Sequence, residues 1–243
     1  MSIVLTSIDE IRNHCGVTIS VERRVACEAL GTAFLLAGII GSGIMAQRIC
    51  GGNAGVALLA NSIATAGVLF ALVAALGPYS GAHLNPAVTL CAILRGELSA
   101  RAGIWYAVAQ IAGASIGAAA ANAMFGLPAI FPSHHERDGI AQAFSESIAT
   151  FGLILTIVLC SRRAPRLTAF AVPAYIAGAY WFTSSTSFAN PAVTLGRTLS
   201  DTFAGIRPSD APAFIIAQIT GALAALAFAT WVEVRSLKAE EFA

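Results

Sequence analysis

Long apolar stretches broken by short polar ones dominate the chain. A stretch able to cross a bilayer needs roughly 17–25 residues, and six qualify, at about 26–46, 55–77, 102–124, 140–160, 167–183 and 211–232. The fifth is the shortest. Two shorter apolar segments, residues 86–95 and 191–200, follow the second and fifth spans. At ~1.5 Å rise per residue each would cover about 15 Å, half of a ~30 Å hydrocarbon core. Laid end to end, the two would make one pseudo-span. The pattern predicts an all-α membrane protein with six spans and two re-entrant half-helices.

The pattern also repeats. Asn85-Pro86-Ala87-Val88-Thr89-Leu90 recurs letter for letter as Asn190-Pro191-Ala192-Val193-Thr194-Leu195. Ahead of each copy an apolar span carries a carboxylate near its start, Glu28 and Glu146. After each copy a span carries Gln and then Gly, Gln110 with Gly113 and Gln218 with Gly221. Each half holds three spans, an odd number, so the halves must be inverted with respect to each other. Inverted repeats with interrupted hydrophobic segments point to a solute path at their interface. The chain divides into an N-terminal arm (1–25), a first repeat (26–125), a connecting loop (126–139), a second repeat (140–232) and a tail (233–243). Gly113 with Gly117, and Ala217, Gly221 and Ala225, have small-xxx-small spacing, read as ordinary close helix packing.

Composition agrees with the pattern. Charged residues make up 11% of the 243 residues, against about 25% in a soluble domain. A net charge of +1 leaves no basic footprint for nucleic acid. Ten of the fourteen Lys and Arg fall on the side of the N-terminus (Arg12, Arg23, Arg24, Arg95, Arg101, Arg162, Arg163, Arg166, Arg235, Lys238) and four on the other (Arg48, Arg137, Arg197, Arg207). That asymmetry predicts both termini in the cytoplasm. The first 25 residues are too polar for a cleaved signal peptide. Cys15, Cys27, Cys50, Cys91 and Cys160 have no metal-site spacing and read as small packing residues.

Asn is a strong N-cap and Pro suits the first helical position, where its missing N–H is not needed. Asn85-Pro86 and Asn190-Pro191 therefore start two half-helices whose positive dipole ends should meet near the midplane. A cation or proton is repelled there and a neutral solute is not, while each Asn amide can donate to a passing oxygen. With Ser80-Gly81-Ala82-His83-Leu84 before the first turn, the chain resembles the aquaporin (major intrinsic protein) family over about residues 24–232. Aquaporin pores are the standing example of exclusion by an Arg or by half-helix dipoles. The resemblance implies six tilted helices, two half-helices, one pore per monomer, a homotetramer in the bacterial inner membrane, and neither cofactor nor catalytic or metal site.

Most members of that family place Arg directly after the second Asn-Pro-Ala, where this chain has Val193. Counting back from the motifs assigns the other filter positions. Twenty residues before Asn85 is Thr65; twelve and three before Asn190 are Gly178 and Ser187. A filter of Thr65, Gly178, Ser187 and Val193 is wide, hydroxyl-bearing and without fixed charge. It suits water with glycerol, urea or metalloid hydroxides, and resembles the bacterial aquaporins associated with arsenic resistance, for which arsenite passage is implied. Arg197 lies one turn beyond Val193 on the same face. It either supplies a vestibule charge or snorkels to the headgroups, and the second reading is favoured because length does not fix where a side chain points.

Glu28 and Glu146, costly as ions in apolar surroundings, are read as acceptors for the backbone of the re-entrant loops rather than as a proton relay. His83 is read as a loop-fixing residue rather than a pH gate. His134, His135, Glu136 and Asp138 read as a solvated loop rather than a metal site. A water-selective pore and a gradient-coupled secondary transporter are the alternatives. The transporter would need coupling residues that only Glu28 and Glu146 could supply. An intramembrane enzyme has no supporting motif.

Overall fold

The computed structural model describes residues 19–240, with side chains described to residue 233. Of the arm expected at 1–25, residues 1–18 and with them Cys15 lie outside the described residues, as do 241–243 of the tail. Among the described residues there are eight helices: α1 Val21–Ile49, α2 Ala54–Ser80, α3 Pro86–Leu94, α4 Ala100–Met124, α5 Ile140–Arg163, α6 Pro165–Phe182, α7 Pro191–Arg197 and α8 Ala211–Glu240. Each predicted span falls on a long helix. The tail expected from residue 233 instead continues α8 to Glu240. Five of the long helices have the length and composition to cross a membrane. The sixth, α6, is the shortest at 18 residues and opens on Pro165-Arg166.

The half-helices differ. α3 takes up nearly all of its predicted segment, whereas α7 has only 7 residues. Residues 198–200 leave the helix because the connecting loop competes for their backbone. Phe131 donates its N–H to the Leu199 carbonyl (3.2 Å) and Ser133 to the Thr198 carbonyl (2.9 Å), forming a single bridge between Phe131 and Ser200.

Small residues set the helix pairs. A Cβ on Gly113 or Gly117 would run into the carbonyls of Ala29 and Ala33, so α4 lies backbone to backbone on α1. Gly221 does the same for α8 against the Ser147 carbonyl on α5. The small-xxx-small positions on these two pairs thus pack the monomer internally. Outward from this core, large apolar side chains such as Phe34, Ile63, Ile104, Phe170 and Ile216 are exposed, as befits a surface solvated by lipid tails.

Candidate functional site

Each re-entrant loop is an irregular segment held by one carboxylate. Ala82 and Leu84 in the first, and Thr186, Ser187 and Ala189 in the second, have left-handed backbone (φ 45° to 62°), a conformation costing about 1–2 kcal/mol for a non-glycine residue. Their amides cannot enter a helix ladder and must find acceptors inside the protein. Glu28 accepts from His83 N–H (3.0 Å), Leu84 N–H (2.6 Å), the Ser80 hydroxyl (2.6 Å) and Gln110 Nε2 (2.9 Å). Glu146 accepts from Phe188 N–H (2.9 Å), Ala189 N–H (2.8 Å) and Gln218 Nε2 (2.7 Å). Both carboxylates are fully buried and carry the loops.

The two Asn-Pro-Ala turns meet. Asn85 Oδ1 caps α3 through Ala87 N–H, and Asn190 Oδ1 caps α7 through Ala192 and Val193 N–H. Asn85 Nδ2 donates to the Ala189 carbonyl and Asn190 Nδ2 to the Leu84 carbonyl, both at 2.8 Å. Each loop thereby hands its last carbonyl to the other loop's Asn. An amide nitrogen has two N–H donors, so one on each Asn is left for a solute, and both residues line a cavity of about 240 Å³.

That cavity runs between two charged ends. One end holds Arg95, whose Nε pairs with Glu97 at 2.7 Å. The other holds Tyr180, Phe188 and Arg197, and Arg197 also borders a second cavity of about 290 Å³ beyond it. Between them the wall is mostly apolar, with Leu35, Leu69, Val88, Ile154, Val172 and Val193 among its residues. Such a lining offers a polar solute few places to bind except at the Asn pair and the ends.

Three of the four expected filter positions border the cavity and one does not. Thr65, Ser187 and Val193 are all buried along it. Gly178 is exposed on α6, with open space where its Cβ would be. The count back from Asn190 fails because α6 turns a different stripe inward. Thr168, Val172, Ile176 and Tyr180, each four residues apart, line the cavity, and residue 178 lies about 200° round the helix from 180. Tyr180 stands instead at the Arg197 end, its hydroxyl 3.1 Å from Thr65 Oγ1. The Ser187 hydroxyl is buried with no hydrogen-bond partner among the described residues.

Arg197 does not snorkel. It is 2% exposed, its Nε donates to the Ala204 carbonyl, and its guanidinium carbon sits over Phe188, 3.3 Å from the ring centre. α7 ends at Arg197, and the turn from 198 to 205 folds back so that a carbonyl is in reach. A second guanidinium comes from the connecting loop, where sequence reasoning placed only a solvated segment. Arg137, 8% exposed, sits 5.0 Å from the same ring centre and donates to the Gly205 (2.8 Å) and Ser185 (3.1 Å) carbonyls. Burial pushes Arg137 down to about 10, still protonated at neutral pH. The loop is latched by His134 on Asp201 and by Glu136 on Arg207. No group of His, Cys, Asp and Glu among the described residues is arranged to hold a metal.

His83 also lines the cavity, with Nδ1 3.1 Å from Thr89 Oγ1 and its ring edge-on to Tyr106. The four described cysteines are free, and Cys91 is buried.

Comparison with known proteins agrees with this geometry. The profile of the major intrinsic protein family matches residues 16–179. Aquaglyceroporin AqpS of Rhizobium meliloti is 50% identical over 86% of this chain and 90% of its own length. The probable aquaporin AqpM of Archaeoglobus fulgidus is 32% identical over 86% and 96%. The X-ray structure of the aquaglyceroporin from Plasmodium falciparum superimposes with a TM-score of 0.63 over 86% of this chain and 95% of that one, at 19% identity, which speaks for the fold alone. Two crossed Asn-Pro-Ala turns at the centre of a membrane-spanning helical bundle, together with these relatives, place the chain in the major intrinsic protein family, a family of membrane channels and not of enzymes.

Proposed function

We propose that the chain is a passive channel of aquaglyceroporin type, passing water, glycerol, urea and neutral metalloid hydroxides such as arsenous acid. The observation that carries this reading is the lining beside the Asn pair. Thr65, Tyr180, Ser187 and Val193 border it, and Arg197, four residues after Val193 on α7, is braced by Ala204 and Phe188. Val193 itself contributes no charge to the lining, and the Ser187 hydroxyl, without a partner among the described residues, is free to meet a solute hydroxyl. The filter in this reading is Thr65, Ser187 and Val193 with Tyr180 in the place assigned to Gly178, and Arg197 is the vestibule charge. The identity to a protein named an aquaglyceroporin supports the same solute class.

In this reading the Arg197 end faces outward and both termini face the cytoplasm of a bacterial inner membrane. The two inverted repeats span residues 26–125 and 140–232, and four copies assemble as a homotetramer. Stopped-flow permeability of proteoliposomes to water, glycerol, urea and arsenite tests the filter, with Val193→Arg as the probe. The substitution should cut the three larger solutes more than water. Equal effects on all four would overturn the assignment, and wild-type vesicles that pass water but none of the others would overturn the wide pore.

A further inference from the structure

Arg137 and Arg197 bury two positive charges beside one aromatic ring, and among the described residues neither forms an ion pair. Their Cζ atoms lie 5.0 and 3.3 Å from the Phe188 centre, so the two cations are no further apart than those lengths together. A buried charge is costly unless it is paired.

Their hydrogen bonds do not supply that pairing. Arg137 meets the Gly205 and Ser185 carbonyls and, at 3.5 Å, the Thr186 hydroxyl, all neutral. Arg197 uses Nε on the Ala204 carbonyl, and its two terminal NH₂ groups have no hydrogen-bond partner among the described residues. This side chain, almost wholly buried, borders both cavities. The nearby carboxylates are committed elsewhere. Glu136 pairs with Arg207 at 2.7 Å, Asp210 accepts from Arg207 and from the Arg137 backbone, and Glu146 is taken by Phe188, Ala189 and Gln218.

We propose that the cavity beyond Arg197 binds a small tetrahedral oxyanion, such as sulfate or hydrogen phosphate, between Arg137 and Arg197, and that the bound ion caps the pore. A guanidinium presents its N–H groups as a planar fork that matches two oxygens of such an ion, and a divalent oxyanion brings the buried pair twice the negative charge of a chloride. The cavity holds about 290 Å³, against ~30 Å³ for a water molecule, so the ion enters with part of its hydration. Around the wall, Thr186 and the second N–H of Gln142 offer further neutral donors, and the Glu136 carboxylate, also on the wall, is held by Arg207. Because Arg197 belongs to both cavities, an ion held there stands directly over the way into the pore. Capping rests on the channel reading above; binding does not.

The test is glycerol efflux from proteoliposomes in sodium sulfate against sodium chloride, matched in ionic strength and osmolality on both faces. Sulfate should slow the wild type saturably, by about twofold at half-occupancy. Arg137→Gln, compared with its own chloride baseline, should lose this sensitivity, and Arg137→Lys should keep it at higher sulfate. Calorimetry in phospholipid-free detergent should show saturable sulfate binding to the wild type, weaker in Arg137→Lys. That arm also serves if Arg137→Gln does not fold. Equal wild-type flux in the two salts, or full sensitivity in Arg137→Gln, overturns capping. No heat in detergent overturns the site, including the case where vesicles alone respond and a lipid headgroup is the ligand. Vesicles that pass no glycerol in either salt count against the channel reading and leave the site to calorimetry.

Discussion

Shifted by the spacing of the two Asn-Pro-Ala copies, His83 and Phe188 are counterparts, and so are Ala92 and Arg197. At the Arg95 mouth His83 stands edge-on to Tyr106, and Arg24 covers that ring and donates to its hydroxyl at 2.8 Å. At the Arg197 mouth Phe188 stands edge-on to Phe214, the counterpart of Tyr106, and two guanidiniums cover Phe188 itself. The same ring pair recurs, but the cation has moved from the flanking ring to the ring that lines the pore. The backbone core stayed fixed, with two carboxylates, two glutamines and two crossed asparagines. The difference teaches that the repeat preserves what satisfies buried backbone, whereas the side chains beyond it are free to make one mouth unlike the other.

The largest effects should come from the fixed part. Glu28→Ala and Glu146→Ala each strand buried donors, and a stranded donor costs about 1–3 kcal/mol. Glu28 serves four donors and Glu146 three, so both variants should lose their unfolding midpoint in detergent and Glu28→Ala should lose more. A larger loss for Glu146→Ala would mean that donor number does not set the balance. Next comes helix packing. By the spacing of Gln110 and Gln218, Gly117 corresponds to Ala225, so the second half already tolerates a methyl where the first does not. Gly117→Ala should destabilise by roughly 1–3 kcal/mol through overpacking, against about 0.5–1 kcal/mol for Ala225→Gly from backbone entropy. Equal losses would show that the two helix pairs are equally tight.

The smallest effect separates two neighbours on α6. Gly178→Ala, on the exposed face with open space for the methyl, should stabilise by about 0.5–1 kcal/mol through backbone entropy and leave the glycerol-to-water permeability ratio unchanged. Tyr180→Phe removes the partner of Thr65 and should cost about 1 kcal/mol while shifting that ratio. A ratio that responds to Gly178→Ala and ignores Tyr180→Phe would restore the counted filter.

What sequence could read follows the same division. Spans, half-helices, caps and the paired carboxylates are legible because each is imposed locally, by a hydrophobic run, a capping Asn or the cost of a charge in lipid. Gly178 was misassigned because counting along the chain ignores helix rotation, although the four-residue stripe ending at Tyr180 was there to be seen. The length of α7 and the place of Arg197 depend on a loop more than sixty residues earlier that captures the backbone of 198–200. Arg137 had no local signal at all, since nothing in residues 126–139 shows which side chain turns inward.

The crossed asparagines also set a schedule for synthesis. Asn85 finds its acceptor 104 residues later, at Ala189, and Leu84 waits 106 residues for Asn190. At about 5–20 residues per second, roughly 5–20 s pass between translation of the two partners. Through that interval the first re-entrant loop can lean on Glu28 and Gln110, both made within the first repeat, but its amide and carbonyl at the turn have no mate. Quality control that acts in those seconds would meet an open half-pore, and closure of the channel is an event of the second half's arrival.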